Sequence, residues 1–373
     1  MPPPASVRDA VIDAKGRPII SAQGLTKRFQ RPVKRPGIGG ALRHLVRPHY
    51  TEFTAVDNID LTIMPGESVA YVGPNGAGKS TTVKLLTGIL VPSAGEVTVC
   101  DIHPFQDRIA NARNIGVVFG QRTQLWWDIP VRESFRLLRD IYELSPRQYA
   151  TTFAELTDVL DLEPLLSVPA RQLSLGQRMR CDLAASLIHS PPVLYLDEPT
   201  IGLDVAVKAR FREFISYMHA QRGLTVMLTS HDLGDIEELC ERMVMIDKGR
   251  IVYDGALSDI TTRFGWERSL HLTFSEPVPG AVAAAEGAVQ GEGTAFAQPD
   301  ETRLTITFDS RRRTSGQLIR DLATALPVAD IRLEEPTAES IIRKLYEGSL
   351  RFGDDDIGSA DENFAAVGRE AGS

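Results

Sequence analysis

The chain has 373 residues, of which 43% are hydrophobic and 24% are charged, and its formal net charge is −8. These values are ordinary for a globular protein of two or three domains, and the acidic balance argues against general nucleic-acid binding. No apolar run approaches a membrane span and no secretory signal opens the chain, so the protein is expected to stay in the cytoplasm. The cysteines at 100, 181 and 240 have neither metal spacing nor a disulfide framework.

The first part of the chain predicts a leader and two strands that flank a basic insertion. Residues 1–18 are rich in Pro and Ala without periodicity, which indicates disorder. Strands are expected over residues 19–29 and 55–63. Between Phe29 and Thr51 there are five Arg or Lys residues and no acid. This insertion is either a solvated loop or a contact for acidic lipid headgroups or an acidic partner surface.

A third strand, over residues 68–72, leads into the sequence Gly73-Pro-Asn-Gly-Ala-Gly-Lys-Ser80, which we call the phosphate loop. Its glycines at 73 and 78, followed by Lys79 and Ser80, have the spacing that binds phosphate. Glycine lets the backbone curl so that N–H groups point at an anion, and the following helix adds the positive end of its dipole. Lys79 is expected to reach the β- and γ-phosphates, and the Ser80 hydroxyl to ligate Mg²⁺. The loop therefore predicts a nucleoside triphosphate site.

Apolar strands alternate with helices in the middle of the chain. Helical periodicity dominates from Val131 to Leu166 and returns over residues 177–188. Further strands are expected over residues 115–119, 193–196, 224–229 and 243–246. This alternation implies a mostly parallel sheet covered by helices on both faces.

An acid pair, Asp197 and Glu198, follows the strand of residues 193–196. It should lie at the carboxyl edge of the sheet, where ligands bind in such folds. Asp197 suits a Mg²⁺ contact, and Glu198 suits a general base that orients an attacking water.

The character of the chain changes after about Gly265. Alternating strands and amphipathic helices over residues 266–350 predict a small α+β appendage of the split-βαβ type. Dimer support, regulation and no separable role all remain open for it. Residues 351–373 are acidic and rich in Gly and Ala, which predicts a disordered tail.

A third motif, Leu173-Ser-Leu-Gly-Gln177, lies just ahead of the helix predicted over residues 177–188, and we call it the signature segment. With the phosphate loop and the acid pair it resembles the signature sequence of ATP-binding cassette (ABC) ATPases. The resemblance covers roughly residues 19–255. Gln121 matches the family's glutamine loop, Gly202-Leu203-Asp204 its D-loop, and His231 its switch histidine.

The resemblance implies an ABC-type α/β nucleotide-binding domain over residues 19–265, with a mostly parallel sheet and a helical subdomain at about 122–190. It implies ATP hydrolysis with Mg²⁺, with Lys79, Gln121, Glu198 and His231 in catalysis and Ser80, Gln121 and Asp197 at the metal. The nucleotide would be contacted by Phe29, Gly73, Pro74, Asn75, Gly76, Ala77, Gly78, Lys79, Ser80 and Thr81. Phe29 would stack on adenine, for which Tyr50 and Phe53 are rivals.

The resemblance also implies a partner. Ser174 and Gly176 would touch the γ-phosphate bound to another protomer. One phosphate loop and one signature segment per chain imply a head-to-tail homodimer, or a paired half, with two sites. Leu175 stands where the family usually has a second glycine, and we expect its side chain to face away from the phosphate.

Transport would require separate membrane permease subunits, which would hold the protein at the cytoplasmic face of the plasma (inner) membrane. Trp126 and Trp127, beside Gln121, could be core packing or an exposed anchor for a permease. The sequence of residues 118–127 and 200–204 resembles that of ATPases of ABC-2-type exporters, so export is the favoured function. The alternatives are an importer ATPase, a translation factor or a DNA-repair ATPase.

Overall fold

The computed structural model describes residues 16–32, 50–120, 122–261, 265–289 and 294–346. They divide into two compact units, one ending at Gly255 and the other beginning at Ala256. The sequence placed this boundary later, after residue 265. The predicted leader up to residue 15, the insertion from 33 to 49, Gln121 and the predicted tail lie outside the described residues.

The first unit alternates strands and helices, as its apolar runs predict. In chain order it contains β1 (Ile20–Pro32), β2 (Tyr50–Ile63), β3 (Ser68–Val72), α1 (Lys79–Leu86), β4 (Ala94–Val99), α2 (Arg108–Asn114), β5 (Ile115–Phe119), α3 (Val131–Ile141), α4 (Pro146–Val159), α5 (Leu175–Leu187), β6 (Val193–Asp197), α6 (Val205–Arg222), β7 (Thr225–Thr229), α7 (Leu233–Leu239), β8 (Arg242–Asp247) and β9 (Arg250–Ala256). Short 3₁₀ turns at Glu163–Leu165 and Ala170–Gln172 connect α4 to α5.

The central sheet of the described residues has the strand order β5–β6–β7–β3–β8–β9. The neighbours from β5 to β8 pair in parallel, which confirms the mostly parallel sheet. Every residue of β3 and β7 is buried, as expected for strands with helices on both faces. This order places the carboxyl ends of β3, β6 and β7 side by side, so the residues that follow these strands share one edge of the sheet.

A second, antiparallel sheet has the order β2–β1–β4. The β1–β2 ladder runs from Ile20 opposite Ile63 to Pro32 opposite Tyr50. Both strands are longer than predicted, because pairing continues along the flanks of the basic insertion. On the β2 side the added residues include Tyr50, Thr51, Phe53 and Thr54, which have high β-propensity. One apolar cluster, which includes Tyr71 of β3 and Tyr195 of β6, joins this sheet to the central one.

Helix α5 begins earlier than predicted. The periodicity over residues 177–188 placed the signature segment ahead of the helix, whereas Leu175, Gly176 and Gln177 form its first turn. The Ser174 hydroxyl accepts the Gln177 N–H, and the Gln177 side chain accepts the Ser174 N–H. This capping box fixes the helix start at Ser174, and its pattern is local in the sequence.

The second unit contains β10 (Glu267–Phe274), α8 (Ala281–Ala288), β11 (Thr294–Asp300), β12 (Arg303–Asp309), α9 (Ser315–Ala325), β13 (Val328–Glu334) and α10 (Ala338–Tyr346). Its antiparallel sheet has the order β11–β12–β10–β13, the split-βαβ arrangement. Strand β11 was not predicted. Alternate residues of β10 and β12 pack on α8 and α9 to form a separate core.

No helix in the described part of either unit combines the length and the apolar character needed to cross a membrane.

Candidate nucleotide-binding site

The phosphate loop connects the buried strand β3 to helix α1, and its glycines are required by close backbone approach. Gly78 is the N-cap of α1 with φ of +117°, and a Cβ there would overlap the carbonyl oxygen of Ala55. A Cβ at Gly73 would overlap the carbonyl oxygen of Ile246. The loop therefore passes between β2 and β8 with no room for side chains at these two positions.

The loop is also tied to its surroundings by main-chain hydrogen bonds. The Ala77 N–H donates to the Pro74 carbonyl at 3.1 Å, and the Gly249 N–H donates to the Ala77 carbonyl at 2.8 Å. Asn75 and Gly76 between them are exposed. The tip of the loop thus faces solvent while its two ends are held by the sheet.

Lys79 lies beneath this loop, and the residue is only 8% exposed. Its Nζ donates to the carbonyl of Gly73 at 2.5 Å and to that of Pro74 at 3.3 Å. Burial lowers the pKa of Lys79, whereas the nearby carboxylates of Glu198 and Asp197 act in the opposite direction. A buried ammonium that is held by carbonyls inside a curled loop is placed to meet an anion such as a phosphate.

Asp197 and Ser80 form a set of hard oxygen donors. The Ser80 hydroxyl donates to Oδ1 of Asp197 at 3.3 Å, and the Thr229 hydroxyl donates to the same oxygen at 2.7 Å. The described residues hold no cluster of three His, Cys, Asp or Glu side chains that could bind a metal alone. A hydroxyl and one carboxylate nevertheless suit Mg²⁺, which commonly takes its other ligands from water and substrate phosphates.

Glu198 occupies a strained backbone position next to this set, with φ of +54°. Its N–H donates to the carbonyl of Thr229 at 3.0 Å and contacts the Thr229 hydroxyl at 3.1 Å. A Cβ at Gly120 would overlap the Glu198 carbonyl oxygen, so the residue that follows β5 also has to be glycine. These contacts hold the left-handed turn and direct the side chain away from the strand.

The Glu198 carboxylate lies 2.9 Å from Nε2 of His231, measured from its Oε1. Burial raises the pKa of Glu198, while Lys79 acts to lower it. Burial also lowers the pKa of His231, and Lys79 adds to that effect. His231 is therefore neutral near pH 7, and a neutral imidazole can donate one ring N–H to the carboxylate. The pair is suited to holding and polarising a water molecule.

The signature segment packs against the D-loop of its own chain. The side chain of Leu175 lies over Gly202, where an added Cβ would be 3.1 Å from Cδ2 of Leu175. Gly176 similarly faces Val207, the residue whose N–H is capped by the Asp204 carboxylate at 2.9 Å. Ser174 is exposed, and its hydrogen bonds are with the first turn of α5.

Comparison with known proteins decides the family. A family model described as ABC transporter matches residues 56–201. Over 214 residues the chain is 37% identical to the Nod factor export ATP-binding protein I of Paraburkholderia xenovorans, covering 57% of this chain and 69% of that protein. Over 297 residues it is 30% identical to the daunorubicin resistance ATP-binding protein DrrA3 of Streptomyces coeruleorubidus, covering 79% and 92%. The chain belongs to the ATP-binding proteins of ABC transporters.

Solved structures show the same fold. The ATP-binding subunit of an ABC transporter matches with a TM-score of 0.56 and 24% identity, over 66% of this chain and 93% of that one. The dimeric ATP-binding cassette MJ0796 with ADP and Pi matches with a TM-score of 0.53 and 24% identity, over 64% and 98%. As an ABC ATPase the chain binds and hydrolyses ATP, which confirms the activity expected from the sequence.

Two of the three aromatic candidates for adenine stacking in this ABC ATPase are neighbours in the structure. Phe29 in β1 lies directly opposite Phe53 in β2. Phe53 is 43% exposed and Phe29 is half-buried, with Nζ of Lys27 at 5.3 Å from the Phe29 ring centre. Tyr50 is at the end of the same ladder. The stacking role stays a prediction for Phe29, with Phe53 beside it.

Sequence reasoning missed two residues that organise the ABC site. Thr229 holds both Asp197 and Glu198, and its position at the end of a predicted strand was the available signal. Asp182 is a carboxylate within the buried face of α5, among Met179, Cys181 and Leu183. Its signal was an acid inside an otherwise apolar helical run, which is rare unless the acid is hydrogen-bonded.

Proposed function

We propose that the chain is the ATP-hydrolysing subunit of an ABC exporter, in which two copies close around ATP and drive separate membrane permeases. The observation that carries this proposal is the convergence of Lys79, Asp197, Glu198 and His231 at one sheet edge, while Ser174 stays exposed on α5. One chain thus offers a phosphate-binding half and a separate signature half.

In the phosphate-binding half, the backbone of the phosphate loop and the Lys79 ammonium bind the β- and γ-phosphates. Ser80 and Asp197 would hold Mg²⁺, with Gln121 as the family's further ligand, and the ion would neutralise charge on the phosphate oxygens. Glu198 orients the attacking water and takes up its proton, which its raised pKa favours. Neutral His231 has a single ring N–H, which would donate to the γ-phosphate when ATP is bound instead of to Glu198.

In the signature half, the exposed Ser174 hydroxyl and the Gly176 backbone contact the γ-phosphate bound to the partner. The hydroxyl is both an acceptor for the Gln177 N–H and a donor, so it can hold its own helix start and still donate to an oxyanion. Loss of the γ-phosphate removes this contact and lets the two copies separate. A head-to-tail arrangement closes with two identical sites.

Export and permease binding are supported by the relatives of the chain and by residues outside the nucleotide site. Two relatives are named for Nod factor export and for daunorubicin resistance. Beside the glutamine loop, Leu125 is buried in the core, whereas Trp126 and Trp127 are 39% and 49% exposed. Exposed adjacent indoles favour the anchor interpretation over core packing. We place the permease contact there, at the cytoplasmic face of the membrane.

The dimer is the testable core of this proposal. Glu198→Gln should bind ATP without hydrolysing it and should therefore form an ATP-stabilised dimer in size-exclusion chromatography with light scattering. The matched control combines this change with Lys79→Ala, which should remain monomeric because ATP is no longer bound. A Glu198→Gln protein that is monomeric with saturating ATP at micromolar concentration would contradict the proposal.

A further inference from the structure

Asp182 joins the signature helix to the chain segment that follows the glutamine loop. The residue is 5% exposed, and its Oδ1 accepts the Thr123 hydroxyl at 2.8 Å and the Gln124 N–H at 2.8 Å. The Leu125 N–H in turn donates to the Thr123 hydroxyl at 3.1 Å. One side chain of α5 therefore holds Thr123 and Gln124 directly, and it holds Leu125 through the Thr123 hydroxyl.

The same face of α5 makes a second contact with this segment. The guanidinium of Arg178 lies 5.8 Å from the ring centre of Trp127. Ser174, Arg178 and Asp182 are spaced by four residues, so they share one face of the helix. One face of α5 thus connects the exposed tryptophans to the exposed signature serine. The part of this face from Ser174 to Asp182 is about two helical turns long.

The position of Asp182 has a cost that packing alone does not explain. Burial raises its pKa to about 6, so at neutral pH a carboxylate is kept ionised in a site that opposes its charge. An apolar residue there would avoid this desolvation, and buried charges are commonly no better for stability than well-packed apolar groups. What the carboxylate adds is a fixed geometry, because it can accept several directional hydrogen bonds from the segment at once.

We propose that Asp182 is a positioning residue that fixes residues 123–125 to the signature helix, so that a displacement at Trp126 and Trp127 moves Ser174. This inference rests on the proposed function, because it takes the tryptophans as the permease contact and Ser174 as the contact to the partner's nucleotide. The coupling passes through α5 and requires no change in the phosphate loop of the same chain.

The test removes one donor without removing the carboxylate. Thr123→Val keeps the shape of the side chain but loses the hydroxyl, and Thr123→Ser is the matched control that keeps it. Introduced into Glu198→Gln, Thr123→Val should weaken ATP-dependent dimerisation by about tenfold, since a hydrogen bond to a charged group is lost. Asp182→Asn should weaken it as well. Binding of ATP to the monomer should change by less than about twofold in all three variants.

Backbone amide hydrogen exchange of the free monomer tests the proposal without relying on dimerisation. Thr123→Val should accelerate exchange in peptides that cover residues 122–128 and residues 173–180 together, and Thr123→Ser should restore both. Faster exchange confined to residues 122–128 would overturn the proposal. Normal dimerisation of both Thr123→Val and Asp182→Asn would overturn it too. Failure of Glu198→Gln itself to dimerise would instead overturn the proposed function, and exchange would still decide on Asp182.

Discussion

Helices α1 and α5 both begin at a motif that the proposed function assigns to phosphate, yet their N-termini are built in opposite ways. Helix α1 starts at Gly78 without a side-chain cap, whereas α5 starts at Ser174 with a complete capping box. The residue that opens α1, Lys79, is buried, and Ser174 is exposed. The first helix is therefore built to present backbone N–H groups to an anion, and the second presents a hydroxyl to something outside the chain.

The largest effect is expected from adding a Cβ at Gly78, where helix α1 begins. Gly78→Ala should destabilise the protein by about 3 kcal/mol and abolish measurable ATP binding, because its Cβ would overlap the Ala55 carbonyl at a positive φ. The matched control is Gly76→Ala, which also has a positive φ but meets nothing within 4 Å. Calorimetry of unfolding and of ATP binding should show a clearly smaller loss for the control. Equal losses of stability and ATP binding at both positions would mean that the positive φ causes the effect, rather than the close approach of the Ala55 carbonyl.

The α5 side depends on a buried carboxylate, which makes its stability sensitive to pH. Because the folded-state pKa of Asp182 is raised to about 6, the folded protein holds this proton more tightly than the unfolded chain. The stabilisation that comes from the protonated Asp182 carboxyl group is present at pH 4 and is lost as the pH rises through 6. The free energy of unfolding of wild type minus that of Asp182→Asn should therefore fall by up to about 3 kcal/mol over this range.

Urea denaturation of both proteins at several pH values measures this difference directly. A difference that stays constant or increases with pH would show that the Asp182 carboxyl group is not desolvated in the folded protein.

The exposed hydroxyl of Ser174 should matter more for turnover than for folding. Ser174→Ala should cost about 1 kcal/mol of stability through the lost cap and at least tenfold in ATPase rate, while ATP binding to the monomer is unchanged. Ser145→Ala is the matched control, because Ser145 and Gln148 form the same capping box at α4. It should lose similar stability and keep its ATPase rate. Equal ATPase rates for the two variants would show that Ser174 acts only as a helix cap.

The smallest effect is expected at Leu175, whose side chain rests on Gly202. Leu175→Gly should leave the steady-state ATPase rate within a few-fold of wild type, because the leucine packs on the D-loop of its own chain. A large rise in rate would instead show that this leucine restrains closure of the dimer.

The sequence was most informative where the structure depends on neighbours in the chain. The phosphate loop, the acid pair at the end of β6 and five strands of the central sheet follow from local spacing and periodicity, and they lie as predicted or within a few residues of it, whereas β9 was not predicted. The start of α5 was misplaced although its capping box is also local, since the Ser174–Gln177 pattern was taken only as part of a motif. Strand β11 was missed because Phe296 is its only large apolar residue, it contains Pro299, and none of its residues is buried.

What the sequence by itself determined is the chemistry: glycines where the backbone must turn around phosphate, a lysine and a serine after them, and two acids at a strand end. The tertiary structure alone decided which of these groups meet. Thr229 reaches Asp197 because β7 lies beside β6, and Asp182 reaches Thr123 because α5 packs against the segment after β5. Helical and strand periodicity constrain only residues a few positions apart, whereas these contacts join residues that folding brings together from distant parts of the chain.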